Sequence, residues 1–355
     1  MSHILISAQQ LRTLTAAILA AAGASESNAD CVAHHLVSSN LCGVDTHGVW
    51  HLGGYVSAIK SAEIVADALP EVKVESHLSA LVTGNWTFGQ VAAKYATERA
   101  IVKAQQHSMS VVSLVQSHHI GRLGEYAEMA SGAGLIAMIF GGGYSEEAPV
   151  AVPYGGMRRT LSTNPVAMGF PAGRGDRMLF DFATTVASGV KVANARKSGV
   201  PLPPGWIVDK AGNPSTNAED FFDGGGYLPF GGHKGYALMV GAEFLGRIFS
   251  GSDAYAEKGR GGPIMSHQGV TIILLRTDLF HSQADYRKSA DELLHRIRSV
   301  PPAPHFSEVQ APGDPERHTR EKREREGIPV PEELWREITK LAESSDVKMP
   351  EIIKK

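Results

Sequence analysis

The residues best suited to acid–base chemistry lie close together near the N-terminus. The segment Asp45–Val49 contains Thr46 and His47, and His51 and Tyr55 follow it. If a helix begins in this segment, positions 47, 51 and 55 lie four residues apart, so two imidazoles and a phenol share one face. An imidazole near a helix N-terminus is held neutral by the helix dipole and can accept or donate a proton at neutral pH. The spacing predicts a polar cluster able to transfer protons, with surface histidines behind a capping aspartate as the alternative.

The same histidines raise the alternative of a metal site. His47 and His51 have the spacing of helical zinc ligands, but the segment lacks the glutamate of the H-E-x-x-H pattern. The two cysteines add no zinc spacing. We therefore expect no metal, while a metal-dependent hydrolase that uses some of the 15 histidines stays open as an alternative activity.

A second polar segment, Ser117–Arg122, joins the strand-like run Val111–Val115 to a predicted helix. The carboxyl end of a strand is the usual place for a ligand in an α/β protein. Arg122 can hold a carboxylate through two parallel hydrogen bonds, whereas a lysine offers a point charge. The segment predicts a substrate contact, and an ordinary turn with solvated histidines is the alternative.

A glycine-rich loop, Gly231–Tyr236, precedes the apolar helical run Ala237–Phe249. Backbone amides at a helix start, together with Lys234, can receive a phosphate. The loop does not meet the Walker pattern, and nowhere does G-x-G-x-x-G open a helix after a strand. The pattern favours phosphate binding outside a standard Rossmann unit.

The elements that must position these groups change in type along the chain. Apolar residues recur at helical spacing over the first 60 residues, which predicts three helices, the third beginning after Thr46 and carrying His47. From about residue 70, β-rich runs such as 111–115, 135–140 and 270–275 alternate with helical patterns, as in an α/β protein. A last helix is predicted over 332–343, after two prolines. The two helical chain ends are expected to pack on each other.

Composition and charge limit the classes of partner. The chain has 355 residues, enough for two domains or three small ones, and 34 Lys+Arg against 37 Asp+Glu give a net charge of −3. Nucleic acid and anionic membrane surfaces both require a large cationic face, so we expect neither as a partner. Cys31 and Cys42 lie roughly 16 Å apart along a predicted helix, too far for a disulfide. With reduced cysteines, no signal peptide and no apolar run of membrane length, we expect a cytoplasmic protein that binds a small molecule.

Several short motifs, each weak alone, occur in one order along nearly the whole chain. They are Asp45–Val49, Gly89–Gln90, His119–Gly121, Thr163–Pro165, Asp181–Thr184, Pro204–Trp206, Gly231–Tyr236, Pro312–Asp314 and Gly327–Pro331. In this order they resemble the malate/L-lactate dehydrogenase-like family of NAD(P)H-dependent oxidoreductases, which is distinct from the Rossmann-fold lactate and malate dehydrogenases.

The resemblance implies an α/β (α+β) fold in which a helical domain from both chain ends, residues 1–75 plus 301–355, packs on an α/β domain, residues 76–300. The α/β domain is expected to have a mixed sheet and an unusual, non-Rossmann nicotinamide-binding fold. A homodimer with its active site near the subunit interface is implied. Members transfer a hydride between NADH or NADPH and a small 2-oxo acid or cyclic 2-imino acid, or oxidise 2-hydroxy acids such as malate, L-lactate, sulfolactate and ureidoglycolate.

The resemblance also implies roles for individual residues. His47 and His119 are the proton-transfer candidates, Thr46 lies beside the first, and Asp181 orients an imidazole. Tyr55 lines the substrate site. The segments expected to contact NAD or NADP contain Asn164, Pro165, Phe182, Thr184, Thr185, His233, Lys234, Gly235, Pro312, Gly313 and Asp314.

One position departs from the family pattern. Many members have an arginine, expected to grip the substrate carboxylate, where this chain has His51. Arg122 is the candidate to replace it, because it follows closely after His119. Without that arginine, the protein could be a relative of the family that binds ligands without catalysis. The retained His47 and Lys234 argue against this alternative.

Overall fold

The computed structural model describes residues 3–143 and 148–352. Residues 1–2 and 353–355 of the predicted helical domain, and 144–147 of the predicted α/β domain, lie outside the described part. The helices are α1 (Ala8–Ala21), α2 (Glu26–Leu41), α3 (Leu52–Lys60), α4 (Gly89–His107), α5 (Leu123–Gly132), α6 (Gly189–Ser198), α7 (Ala218–Phe222), α8 (His233–Glu243), α9 (Gly262–Met265), α10 (Gln283–Arg298), α11 (Asp314–Glu326) and α12 (Glu332–Ser344). None of these described helices is long and apolar enough to cross a membrane.

The strands form three sheets. They are β1 (His3–Ile6), β2 (Glu71–Glu75), β3 (Ser79–Thr83), β4 (Met109–Val115), β5 (Leu135–Gly142), β6 (Val166–Pro171), β7 (Arg177–Phe182), β8 (Ile207–Val208), β9 (Pro214–Ser215), β10 (Gly226–Tyr227), β11 (Gly269–Arg276) and β12 (Ile328–Pro331). The predicted strand runs 111–115, 135–140 and 270–275 fall within β4, β5 and β11. β6 and β7 lie between the predicted runs and were missed.

Both ends of the chain contribute to one helical unit. β1 pairs with β12 in antiparallel fashion, with Ile4 opposite Val330. Ser7 caps α1 by accepting a hydrogen bond from the backbone N–H of Gln10 at 3.3 Å, as a capping box requires. Buried side chains of α1, α2 and α3 share a core with Ile338 of α12. The expected packing of the chain ends therefore occurs, while the domain boundaries at residues 75 and 300 stay a prediction.

The α/β part is built on a seven-stranded mixed sheet of order β2-β3-β4-β11-β5-β6-β7. β3 and β4 are parallel, and the other neighbouring pairs are antiparallel. α4 and α5 cover one face, where Tyr126 and Ile139 share a core. α8 and the π-helical turn Phe244–Ile248 that follows it cover the other face. The mixed sheet confirms the predicted fold class and differs from a doubly wound parallel sheet.

The predicted start of the third helix is wrong. Two short 3₁₀ turns, Asp45–His47 and Val49–His51, replace its first part, and α3 begins only at Leu52. Gly48 between the turns has extended backbone, with φ −88° and ψ −152°. A Cβ there would lie 2.2 Å from Oδ1 of Asn40, which accepts a backbone N–H from the second turn at 2.9 Å. Asn40 thus fills the space beside Gly48 that a larger residue would need, and its side chain holds the start of the second turn.

Candidate functional site

Three imidazoles meet where the 3₁₀ turns face the loop after β4. The ring centroids of His47 and His119 lie 5.7 Å apart, and that of His51 lies 4.5 Å from His119. Tyr55 stacks on His51 with centroids 5.6 Å apart. These predicted site residues form one group, the histidine cluster (His47, His51 and His119), although no single helix holds positions 47, 51 and 55. Within residues 3–143 and 148–352, no group of three or more His, Cys, Asp or Glu side chains is arranged to hold a metal ion.

The hydroxyl of Tyr55 connects the histidine cluster to α4. It lies 2.8 Å from Nδ1 of His119 and accepts a hydrogen bond from Nε2 of Gln90 at 2.6 Å. The Tyr55 side chain is buried in the core of the helical unit. The observed contact of its hydroxyl is therefore with His119, and a contact with substrate stays a prediction.

Burial keeps the imidazoles of this region neutral. Desolvation lowers the pKa of His51 to about 3 and the pKa of His118 to about 4. The pKa of His119 is lowered well below its ordinary value by burial, and the neighbouring imidazoles act in the same direction. A neutral imidazole has one donating and one accepting nitrogen. The region can thus hold or exchange a proton with a bound ligand at neutral pH.

His47 differs from its neighbours because a carboxylate acts on it. Burial lowers the pKa of His47, while the charge of Asp181 acts in the opposite direction and favours the protonated ring. Thr46 Oγ1 lies 3.1 Å from Nδ1 of His47. Asp181, near the end of β7, accepts a backbone N–H from Gly124 at 2.7 Å, which holds the carboxylate at the start of α5. Thr46 is thus in contact with His47, whereas Asp181 acts on His47 through its charge, and the role of each stays a proposal.

Two buried residues that the sequence reading missed fix the loop after β4. Nε2 of His35 accepts the backbone N–H of Arg122 at 2.9 Å, and its Nδ1 lies 3.3 Å from Glu125. The hydroxyl of Tyr126 donates to the carbonyl of Ile120 at 2.5 Å. No local pattern could reveal the first contact, because its partners are 87 residues apart.

Arg122 lies beside the histidine cluster, but carboxylates engage it. Its side chain is 3% exposed, and Nη2 lies 3.2 Å from Oε2 of Glu128. Arg177 and Arg320 reach the same carboxylate. Nε of Arg122 is buried and has no hydrogen-bond partner within the described part of the chain. The Nε–H of Arg122 thus lacks a partner among the described residues, and the expected two-bond grip on a substrate carboxylate would compete with Glu128.

Three of the predicted cofactor segments join near α8. Thr184 Oγ1 donates to the carbonyls of Thr163 and Asn164, both at 3.0 Å. The backbone N–H of Phe230 donates to the carbonyl of Thr184 at 3.0 Å. Nδ2 of Asn164 donates to the carbonyl of Met239 in α8 at 2.9 Å. These hydrogen bonds hold the segments as one surface, so residues distant in sequence can contact one ligand.

The predicted cofactor residues on this surface differ in what they can offer. The hydroxyls of Thr184 and Thr185 both donate to backbone carbonyls, so they shape the loops. Pro165 packs beside β5, where a Cβ on Gly141 would lie 3.2 Å from its ring. Phe182 is 38% exposed and lies edge-on to Phe230, with centroids 5.3 Å apart. The exposed aromatic face is therefore the group available to a flat ligand ring.

The N-terminus of α8 is open to solvent. Gly232 at the N-cap has φ +63°, a left-handed conformation that favours glycine. A Cβ on Gly235 would lie 1.6 Å from the carbonyl oxygen of Phe230, so the loop packs directly on the first turn. His233 and Lys234 are exposed. The first amides of a helix have no intrahelical acceptor, so this end offers N–H groups and a lysine to a phosphate.

The predicted segment Pro312–Asp314 lies along β7. The carbonyl of Pro312 accepts the backbone N–H of Leu179 at 3.1 Å, and a Cβ on Gly313 would lie 3.1 Å from the carbonyl of Leu179. Asp314 is paired with Arg298 at 2.7 Å and Arg317 at 3.1 Å. Burial alone would raise its pKa, but these hydrogen bonds lower it to about 2. The carboxylate is thus engaged within the chain, and contact of this segment with a cofactor stays a prediction.

A pocket of about 610 Å³ lies between this segment and Arg122. Leu179 and Gly313 line it, and so do arginines and carboxylates of both signs, including Arg177 and Glu128. Its size is within the range of small-ligand sites. The pocket borders β7 through Leu179, and its lining includes Arg122 but no member of the histidine cluster.

Comparisons with known proteins agree on one family. A family model described as malate/L-lactate dehydrogenase matches residues 6–339. The L-lactate dehydrogenase of Cupriavidus necator is 33% identical over 350 residues, 97% of this chain and 99% of that protein. Hydroxycarboxylate dehydrogenase B of Escherichia coli is 32% identical over 349 residues, 97% of this chain and 94% of that protein.

Two solved structures extend the comparison to three dimensions. The sulfolactate dehydrogenase of Methanocaldococcus jannaschii superposes with a TM-score of 0.88 at 28% identity, covering 99% of this chain and 100% of that one. The delta1-piperideine-2-carboxylate reductase of Pseudomonas syringae superposes with a TM-score of 0.83 at 28% identity, covering 95% and 99%. Sequence and structure therefore match along nearly the whole chain.

Proposed function

This chain belongs to the malate/L-lactate dehydrogenase family and is an oxidoreductase, and we propose that it transfers a hydride between NAD or NADP and C2 of a small carboxylic acid. The acid carries a 2-oxo or cyclic 2-imino group in one direction and a 2-hydroxy or 2-amino group in the other. The observation that carries the proposal is the pair of imidazoles of His47 and His119, 5.7 Å apart, with Asp181 acting on the first. The names of the relatives support a carboxylate beside C=O or C=N.

Residues at three places fit a dinucleotide. The open start of α8 and Lys234 would hold a phosphate, and the exposed face of Phe182 would pack on a flat ring. The backbone of Gly313 allows close approach along β7. When bound, the nicotinamide would supply the hydride chemistry, and the protein supplies orientation and charge.

The residues of the chain itself then have four tasks. His47 and His119 exchange a proton with the oxygen or nitrogen on C2, and Thr46 and Asp181 orient the first of them. Arg122, which lines the pocket of about 610 Å³, contacts the substrate carboxylate while Nη2 keeps its contact with Glu128. His51 stays neutral and shapes the site, because burial lowers its pKa to about 3.

We also propose a cytoplasmic homodimer whose interface lies near the site. Trp50 is 45% exposed although it lies edge-on to His51, with ring centroids 5.0 Å apart. An exposed tryptophan beside a site is the kind of residue that a partner subunit covers. Light scattering after size-exclusion chromatography tests this: a monomer at micromolar concentration would contradict it, and Trp50→Arg should weaken the dimer.

A spectrophotometric screen tests the activity. NADH and NADPH are each followed at 340 nm with pyruvate, oxaloacetate, 2-oxoglutarate, sulfopyruvate and cyclic imino acids, and NAD and NADP with ureidoglycolate. Turnover of one acid supports the proposal and selects the cofactor. Energy transfer from tryptophan to NADH without any turnover would instead favour a non-catalytic binding relative. Hydrolysis that a chelator abolishes, with no NADH binding, would favour the metal-dependent hydrolase.

A further inference from the structure

We propose that Gln90 is a positioning residue that determines which ring nitrogen of His119 carries the proton, and that this separates the tasks of His119 and His47. The inference rests on the proposed function in one respect, namely that His119 faces the substrate. Gln90 itself touches neither substrate nor cofactor in this assignment, and it acts through Tyr55.

Two hydrogen bonds connect Gln90 to His119: Gln90 donates to Tyr55, and Tyr55 donates to His119. The NH₂ group of an amide can only donate, and Nε2 of Gln90 lies 2.6 Å from the oxygen of Tyr55. Because that oxygen accepts from Gln90, its own proton is directed at its other neighbour, Nδ1 of His119, at 2.8 Å. Nδ1 is then the accepting nitrogen, so a neutral His119 carries its hydrogen on Nε2.

The protonation states of both partners agree with this direction. Burial raises the pKa of Tyr55 well above its ordinary value, so the phenol keeps the proton that it donates. Burial also lowers the pKa of His119, so its ring is neutral at physiological pH and has a free lone pair on one nitrogen. The hydrogen bonds from Gln90 through Tyr55 therefore end at His119, an uncharged imidazole whose Nε2–H is a donor.

The packing of α4 on the catalytic loop holds the Gln90 amide in place. Gln90 is 1% exposed and lies in the first turn of α4. A Cβ on Gly89 would lie 2.2 Å from the carbonyl oxygen of His118 and 2.3 Å from that of His119, so only a glycine lets the helix start rest on this backbone. Nε2 of Gln90 also lies 3.2 Å from the Cβ position of Gly121. The Nε2 side of the amide therefore packs against the loop that carries His119, while Oε1 is buried without a hydrogen-bond partner among the described residues.

This tautomer decides what each imidazole can do. With hydrogen on Nε2, His119 donates a hydrogen bond to the oxygen or nitrogen on C2 and cannot accept a proton at that nitrogen. His47, whose ring centroid lies 5.7 Å from that of His119, is then the residue that gives the proton to the oxygen or nitrogen on C2. Burial lowers the pKa of His47, and the charge of Asp181 opposes that lowering. In the reverse direction His47 takes the same proton back, so the proton is accounted for in both directions.

Nitrogen NMR of the full chain tests the tautomer without any turnover. In protein labelled with ¹⁵N-histidine at about pH 7.5, long-range ¹H–¹⁵N correlations should show His119 with a protonated Nε2 and an unprotonated Nδ1. The signals are assigned by their loss in His119→Gln. A protonated Nδ1 overturns the proposal whether or not the protein is a dehydrogenase. The expected tautomer in a protein that turns over no acid would contradict the proposed function and leave the tautomer standing.

Removal of the amide donor tests the role of Gln90. Gln90→Met keeps the side-chain length, and we expect Nδ1 of His119 to be protonated in part of the molecules. kcat should fall about tenfold, because only part of the roughly 10²–10⁴-fold contribution of a positioned acid–base group is lost. The Kd of the cofactor should not change. Gln106→Met, an exposed residue of the same helix, is the matched control and should alter neither. If the tautomer or kcat stays as in the unmodified protein, Gln90 does not have this role.

Glutamine substitutions separate the two histidines. A glutamine amide donates a hydrogen bond as Nε2–H does, but it carries no transferable proton. The kcat/KM of His119→Gln should therefore be at least about tenfold higher than that of His119→Ala. In contrast, His47→Gln and His47→Ala should have the same kcat/KM, about 10² or more below that of the unmodified protein. The opposite pattern would assign proton transfer to His119 and overturn the proposed division.

Discussion

The close approach of His35 to Gly121 offers a direct test of how the loop after β4 is held. Gly121 has φ +72°, and a Cβ there would lie 2.2 Å from Nε2 of His35. In Gly121→Ala, the left-handed backbone alone should cost about 1–2 kcal/mol. The imidazole must also move by roughly 1 Å or more to reach ordinary contact distance, which breaks its 2.9 Å hydrogen bond with the N–H of Arg122. Leaving that buried donor without its partner costs about 1–3 kcal/mol.

Together these effects predict a loss of about 2–5 kcal/mol in the free energy of unfolding, a large share of the 5–15 kcal/mol typical of a domain. kcat/KM should fall as well, because His119 lies two residues before the altered position. Urea denaturation followed by circular dichroism measures the first effect, and the 340 nm assay the second. Gly132→Ala is the matched control: its Cβ would meet nothing within 4 Å, so it should stabilise by about 0.5–1 kcal/mol.

A double-mutant cycle shows whether the steric argument is correct. In His35→Ala the imidazole is gone, so Gly121→Ala added to it should cost only the backbone term of about 1–2 kcal/mol. A coupling energy near zero would mean that the Cβ does not act through His35. A loss below about 1 kcal/mol for Gly121→Ala alone would refute the reasoning altogether.

Three further predictions concern the carboxylate, the cofactor and pH. Arg122→Lys should raise the substrate KM about tenfold. The KM of the unmodified protein should not change from about pH 6 to 8, because burial lowers the pKa of His51 to about 3 and the ring stays neutral. A KM that rises as the pH passes about 6.5 would mean that protonated His51 binds the substrate carboxylate instead. Lys234→Ala should raise the dinucleotide Kd roughly ten- to a hundredfold, since a charge-assisted hydrogen bond contributes about 1.5–3 kcal/mol; the exposed Lys210→Ala is the control, and equal Kd values in both variants would remove the α8 loop from the binding site. The free energy of unfolding should fall as pH drops from about 7 toward 4, because native His51 and His118 have lowered pKa values, about 3 and about 4, and the unfolded chain takes up more protons in that window; urea titrations at about pH 7.5 and 5 measure this, and equal or greater stability at the lower pH would contradict it.

The sequence alone determined the family and the class of fold, and it predicted the chemistry of the site. Residue types and short spacings predicted proton transfer near His47 and phosphate binding at the start of α8, the order of the motifs identified the family, and the resemblance added His119 to the proton-transfer candidates. Strands such as β4 and β11 were predictable because their apolar runs are local features of the chain. The missing G-x-G-x-x-G correctly argued against a Rossmann unit, since that motif is also local.

Tertiary structure decided how the site residues act. The hydrogen bonds of Tyr55 to Gln90 and to His119 join residues 35 and 64 positions apart, and no local period encodes such contacts. Two 3₁₀ turns replace the predicted start of the third helix, and Asn40 of the preceding helix packs against Gly48 between them. Burial, which depends on the whole fold, set the imidazoles neutral and drew Arg122 into contact with Glu128. Protonation and ion pairing follow from the surroundings of a group in space, and for this site those surroundings come from distant parts of the chain.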